Sequence, residues 1–166
     1  NDLVNFNDSE EGTVPRTKWR VRTYSKNLIN SCKIDSYFQN EFLIEKKETF
    51  EKHRSKQRII LKNSSFEKAI NKIRELSNQI LVPNVFVTYN RKYYRLNKDI
   101  RITLDKNIKF LKVNKKDLIN IKNINEIIIE EKKPVYSKDE SIFNIIGDKH
   151  SRNSKYCEAI KSIMDY

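Results

Sequence analysis

The chain has 166 residues, with 34 Lys and Arg against 22 Asp and Glu, a formal charge of +12 and 37% hydrophobic residues. That length suits a single domain with its own core, and the charge excess points to a polyanionic partner: phosphates, nucleic acid or an anionic membrane surface. Two Cys and two His without metal-ligand spacing exclude a zinc site, two Gly exclude a Gly-rich phosphate loop, and no apolar run reaches the length of a membrane span.

Asn1 to Thr17 is polar and turn-rich, punctuated by Gly12 and Pro15, and reads as a loop. The chain starts at Asn rather than Met, so a strand belonging before it is expected to be missing. Lys18 to Tyr24 alternates as a strand, with Lys18, Arg20 and Arg22 on one face and Trp19, Val21 and Thr23 on the other. Ser25 to Asn40 reads as a linker holding a turn or short strand around Asn27 to Ile34. Phe42 to Lys47 puts Leu43, Glu45 and Lys47 on one side, and Lys56 to Leu61 puts Lys56, Arg58 and Ile60 together. These two segments can pair as a hairpin across Glu48 to Ser55.

At Ser64 the period changes. Ser65 is an N-cap candidate, and Phe66, Ile70, Ile73, Leu76 and Ile80 form an apolar stripe at helical spacing that stops before Pro83. That stripe is core packing. Val85 to Asp105 then reads as a second hairpin turning at Asn97-Lys98-Asp99. Tyr89 and Arg91 share a face of its first arm; Arg101, Thr103 and Asp105 share a face of the second, opposite Ile100, Ile102 and Leu104.

Ile108 to Val113 is a weaker strand or loop, and Lys115 to Ile124 is ambiguous between helix and strand. Glu126 to Lys132 is a strand with Ile128, Glu130 and Lys132 on one face, ended by Pro134. Lys138 to Ile146 reads as helix, Gly147 to Asn153 as loop, and Ser154 to Tyr166 as a short amphipathic helix.

Charged residues at i and i+2 on a single strand describe an ordinary solvated face. Several such strands closed into a barrel would instead direct the charges inward, making a wet cationic tunnel. Like charges crowded in a partly desolvated space repel, and a triphosphate or polyphosphate would offset that, Arg as a fork of donors and Lys as a point charge. A carboxylate among them suits a hard divalent ion bridging to phosphates.

Read together, these segments resemble the VTC domain of polyphosphate polymerases, a branch of the triphosphate tunnel metalloenzymes. The similarity rests on Arg20-x-Arg22, on Glu45-Lys46-Lys47 and on Lys56 with Arg58. It rests further on Tyr89-x-Arg91 followed by Arg101-Ile102-Thr103-x-Asp105, on Glu130-x-Lys132, and on Arg152 with Ser154-Lys155-Tyr156. The resemblance implies an α+β fold: a closed antiparallel β-barrel, the tunnel, with α-helices packed outside and here without its first strand.

It implies transfer of the γ-phosphoryl group of ATP to a growing inorganic polyphosphate chain. Arg20, Arg22, Lys47, Arg91 and Arg101 are then the catalytic cradle. Lys18, Lys56, Arg58, Lys132, Arg152 and Lys155 bind phosphate or polyphosphate, and Glu130 holds Mn²⁺ or Mg²⁺. Expected partners are ATP and polyphosphate, in the cytoplasm or at the cytoplasmic face of a membrane reached through segments outside this chain. The rival readings are a triphosphatase of the same superfamily and a non-catalytic polyphosphate or nucleic-acid binding module. Nucleic acid is disfavoured because Trp19 and Phe42 fall away from the cationic faces, leaving Tyr89 as the well-placed aromatic.

Overall fold

The structure is a computed structural model of the chain and describes residues 3–24, 40–51, 53–115, 117–134, 141–145 and 153–166. The turn or strand expected around Asn27 to Ile34, all but the last residue of the loop expected over Gly147 to Asn153, including Arg152, and residues 138–140 and 146 of the helix expected over Lys138 to Ile146 lie outside the described residues.

Contacts divide the chain into two compact units, one of residues 1–86 with 112–119, the other of residues 87–111 with 120–166. In the first, helix α1 (Val4–Glu11) leads into strands β1 (Arg16–Arg22), β2 (Asn40–Thr49) and β3 (Arg54–Ser64), followed by helix α2 (Phe66–Ser77). The expected loop over residues 1–17 is therefore corrected over residues 4–11, which are helical, whereas residues 12–15 form a loop that leads into β1. Phe6 and Ser9 are buried, and Arg16 donates to the Asp8 carbonyl at 2.9 Å. Gly12, at φ 76, closes α1 in the left-handed conformation that glycine adopts without steric cost.

β1, β2 and β3 form an antiparallel three-stranded sheet in that order. The β2–β3 hairpin turns where expected, with Phe50 N–H donating to the His53 carbonyl at 2.8 Å. One sheet face is apolar: Phe42 and Ala69 are buried together, with Val21, Leu61, Phe66 and Phe86 packed against them. α2 covers this face. Ser65 caps it, its hydroxyl accepting from Lys68 N–H at 3.3 Å, and Asn78 ends it in a left-handed conformation. Ile73 is buried, but Leu76 is 40% and Ile80 92% exposed. The helix stops before the sequence stripe does.

The second unit holds most of β4 (Val85–Arg95), of β5 (Arg101–Asn114) and of β6 (Asp117–Ile124), which follows β5, together with β7 (Ile128–Lys132), which pairs antiparallel with β5. The turn between β4 and β5 falls at Asn97, whose Oδ1 accepts from the N–H groups of Asp99 and Ile100 at 2.9 and 2.8 Å. Ile100, Ile102, Ile108, Phe110 and Leu111 are buried, as are Cys157, Ala159 and Ile160 of helix α4 (Lys155–Met164). Helix α3 (Ile142–Ile145) is a single turn.

The expectation of a closed barrel is overturned. Among the described residues the strands form two open sheets, β1-β2-β3 and β4-β5-β6 with β7 on β5, and no strand pairing joins one sheet to the other. Alternation fixes which face of a strand a side chain takes. Closure depends on which strand comes alongside each outer edge, a long-range choice that a local pattern does not encode.

Candidate functional site: two cationic sheet faces built on buried carboxylates

On the three-stranded sheet, the register aligns basic residues in rows across the face opposite α2. Lys18, Lys47 and Lys56 form one row, and Arg20, Glu45 and Arg58 the next. Arg22 and Arg16 continue the pattern along β1. This face follows from the i, i+2 spacing on each strand and the antiparallel register that places the charged positions opposite one another.

Glu45 is the centre of the face. It is 2% exposed, and both its oxygens are loaded. Oε2 accepts from Nε and Nη2 of Arg20, the former at 2.8 Å, and lies 3.8 Å from Arg22 Nη2. Oε1 meets Lys56 Nζ at 2.6 Å and Arg58 Nε at 3.1 Å. Burial alone would raise the Glu45 pKa, but the Lys56 bond, the Arg20 charge and hydrogen bonds, and the Arg22 charge outweigh it and bring it down to about 2. The cation heads stay open, with side-chain exposures of 53% at Arg20, 58% at Arg58 and 39% at Lys56.

The second unit repeats the device on different elements. Asp105, fully buried on β5, takes both of its oxygens to Arg91 of β4, with Nε at 2.5 Å and Nη2 at 2.6 Å. Lys155, the first residue of α4, reaches Oδ2 at 2.7 Å. Burial pushes the Asp105 carboxyl up, yet the hydrogen bonds from Arg91 and Lys155 and their charges leave it below the usual range. The bond to Asp105 likewise raises the Arg91 pKa against the opposing effect of burial. Tyr89 and Tyr93 flank the Arg91 guanidinium at 5.1 and 5.9 Å from their ring centroids, and Lys155 lies 5.3 Å from the Tyr89 ring.

β7 extends this face. Its register pairs Lys132 with Arg101 and Glu130 with Thr103. Glu130 lies 3.3 Å from Lys132 Nζ and 3.7 Å from Arg91 Nη2, with 43% of its side chain exposed. No group of three or more His, Cys, Asp or Glu able to hold a metal ion occurs among the described residues. Glu130 instead pairs with two cations, Lys132 and Arg91. Thr103 Oγ1 is buried without a hydrogen-bond partner beside this group.

The residues anticipated from sequence are thus gathered into two sets, each within one unit. Lys18, Arg20, Arg22, Lys47, Lys56 and Arg58 share the first face, and Arg91, Arg101, Glu130, Lys132 and Lys155 the second. Sequence reasoning missed the two carboxylates beneath them, Glu45 and Asp105, as members of the site. The signal was available for Glu45: the hairpin register sets it opposite Arg58, and pairing with β1 sets it opposite Arg20.

Antiparallel sheets carrying a basic face, each with a buried acid that gathers cations from neighbouring elements, define the class: a sheet-rich α+β protein with two cationic surfaces. The VTC domain family matches residues 1–164, and the chain belongs to that family. Membership carries, at the level of the family, a function related to polyphosphate polymerisation and phosphotransfer. Searches of curated proteins and of solved structures return no match. No described helix is long and apolar enough to cross a membrane.

Proposed function

We propose that this domain transfers the γ-phosphoryl group of ATP to the end of an inorganic polyphosphate chain, assisted by Mn²⁺ or Mg²⁺. The observation that carries the reading is the cross-strand row Lys18–Lys47–Lys56 lying beside Arg20–Glu45–Arg58. Like charges placed directly opposite on a sheet repel, and an extended polyanion spanning this face would offset that repulsion. A polyphosphate chain presents negative charge at regular intervals, matching cations repeated along and across strands.

In the reaction, an oxygen of the terminal phosphate attacks the γ-phosphorus, the bond from that phosphorus to the β–γ bridging oxygen breaks, and ADP leaves. Such transfer depends mainly on positioning and on neutralising the charge of the transferred group. Each face offers cations for this, Arg20, Arg22 and Lys47 on the first and Arg91 and Arg101 on the second, while Lys18, Lys56 and Arg58 on the first, and Lys132 and Lys155 on the second, bind further phosphates, as does Arg152. Glu130 would hold the metal ion, which adds charge stabilisation when bound.

The state of the two buried carboxylates supports transfer over hydrolysis. Glu45, held near a pKa of about 2, and Asp105, also lowered, are poor proton acceptors at neutral pH. A terminal phosphate is already an anionic nucleophile and needs no base, whereas a triphosphatase must activate water. Incubation of the purified chain with ATP and Mn²⁺, with products resolved by gel electrophoresis, is expected to give long phosphate polymers. Release of orthophosphate alone would overturn the polymerase reading.

A further inference from the structure

We propose that Glu45 is a positioning residue, fixing Arg20, Arg22, Lys56 and Arg58 in one preset spacing so that the outward N–H groups of Arg20, Lys56 and Arg58 meet neighbouring phosphates of a single oligophosphate. The inference rests on the function proposed for this face and deepens it. Glu45 cannot itself serve the guest: it is an anion, and 3% of its side chain is exposed. What it touches are four cations from β1 and β3, two on each oxygen.

Long basic side chains lose considerable rotamer freedom when a ligand fixes them. Four of them crowded without an anion between them would also splay apart. Fixing them beforehand removes both costs from the binding step. Because one carboxylate faces four cations, the surface stays strongly positive while its geometry is set. The three-stranded sheet makes this arrangement possible, since only the central strand has a basic strand on each side. Glu45 stands opposite Arg20 and Arg58, and Arg22 and Lys56 approach it diagonally.

Simple electrostatics and positioning make opposite predictions for Glu45→Gln. Removing the carboxylate charge makes the face more positive, so bulk attraction alone predicts tighter binding of a polyanion. Positioning predicts weaker binding. The test is calorimetric titration of the full chain with sodium tripolyphosphate at two salt concentrations, with melting temperatures measured alongside. The expected result for E45Q is an affinity lower by about tenfold, lost through a less favourable entropy. Unchanged or tighter binding by a folded E45Q chain would overturn the inference, even if its melting temperature falls.

If E45Q does not fold, E45D decides. It keeps the charge on a side chain one methylene shorter, so weaker tripolyphosphate binding is expected with the salt dependence unaltered, and binding at the level of the unaltered chain overturns the inference. Absence of tripolyphosphate binding by the unaltered chain would instead sink the proposed function, and this inference with it.

Discussion

Lys155 Nζ sits 2.7 Å from Asp105 Oδ2, so the first turn of α4 is tied to a carboxylate buried within β5. Arg91 completes the arrangement from β4, and its side chain and that of Lys155 are only 16% and 17% exposed. Asp105 thus joins three elements through charge rather than through apolar contact.

Replacing Asp105 by Ala is therefore expected to destabilise the fold by roughly 3 kcal/mol or more, because it strands two poorly solvated cations that no longer have an acid between them. Urea denaturation of D105A against the unaltered chain reads this directly. A loss below about 1 kcal/mol, the range of an exposed ion pair, would show that the Asp105 cluster is wetter than its burial implies.

Acid stability should report Glu45. Its folded-state pKa of about 2 lies below the ordinary 4.5, so its contribution is fully present above pH 4.5 and is lost as pH falls through that value towards 2. The shift corresponds to stability on the order of 3 kcal/mol. Asp105 is lowered in the same sense and adds to the slope. Unfolding free energy measured from pH 6 to pH 2 should decline over this window in the unaltered chain and decline less steeply in E45Q. Parallel curves for the two proteins would contradict the assignment.

Much of this architecture is legible in the sequence, because strand alternation and turn chemistry are local. The two hairpins, the Ser65 cap and the strand faces that carry Lys18, Arg20 and Arg22, Lys56 and Arg58, and Arg101 follow from spacing. β6 was ambiguous for a physical reason: Leu118, Ile121 and Ile124 recur every three residues, a helical period, and pairing with β5 through the left-handed turn at Lys115 overrides it. α1 was illegible because its sequence has no apolar stripe, and the helix relies on burial of Phe6 and on the Arg16 bond to the Asp8 carbonyl. Barrel closure could not be judged locally, since the partners of outer strands are chosen at long range. The Asp105 cluster needed a contact from α4, which no strand pattern foretells.

The hydrophobic side of the first sheet makes a separate prediction. Phe42 is 1% exposed and packs beside Phe66 of α2 with ring centroids 6.3 Å apart. Phe42→Ala removes a fully buried aromatic ring between the sheet and its helix and should cost about 3–5 kcal/mol. Ser65→Ala, which removes the cap but no packing, should cost about 1 kcal/mol. Thermal melts of the two variants should keep that order; a reversal would mean that α2 is held by its cap rather than by the core.

Polyphosphate binding should depend on salt in proportion to the cations it engages, since each neutralised phosphate releases counterions. Lys47 lies in the middle of the lysine row, between Lys18 and Lys56. Lys47→Ala is expected to weaken polyphosphate affinity several-fold at low salt and to reduce the slope of log affinity against log salt by roughly one contact's worth. Lys72→Ala, on the helix face where the side chain pairs with Glu75 at 2.7 Å, should leave that slope unchanged. Equal effects from the two substitutions would mean that polyphosphate responds to net charge alone, and the ordered rows of the sheet would then have no part in recognising it.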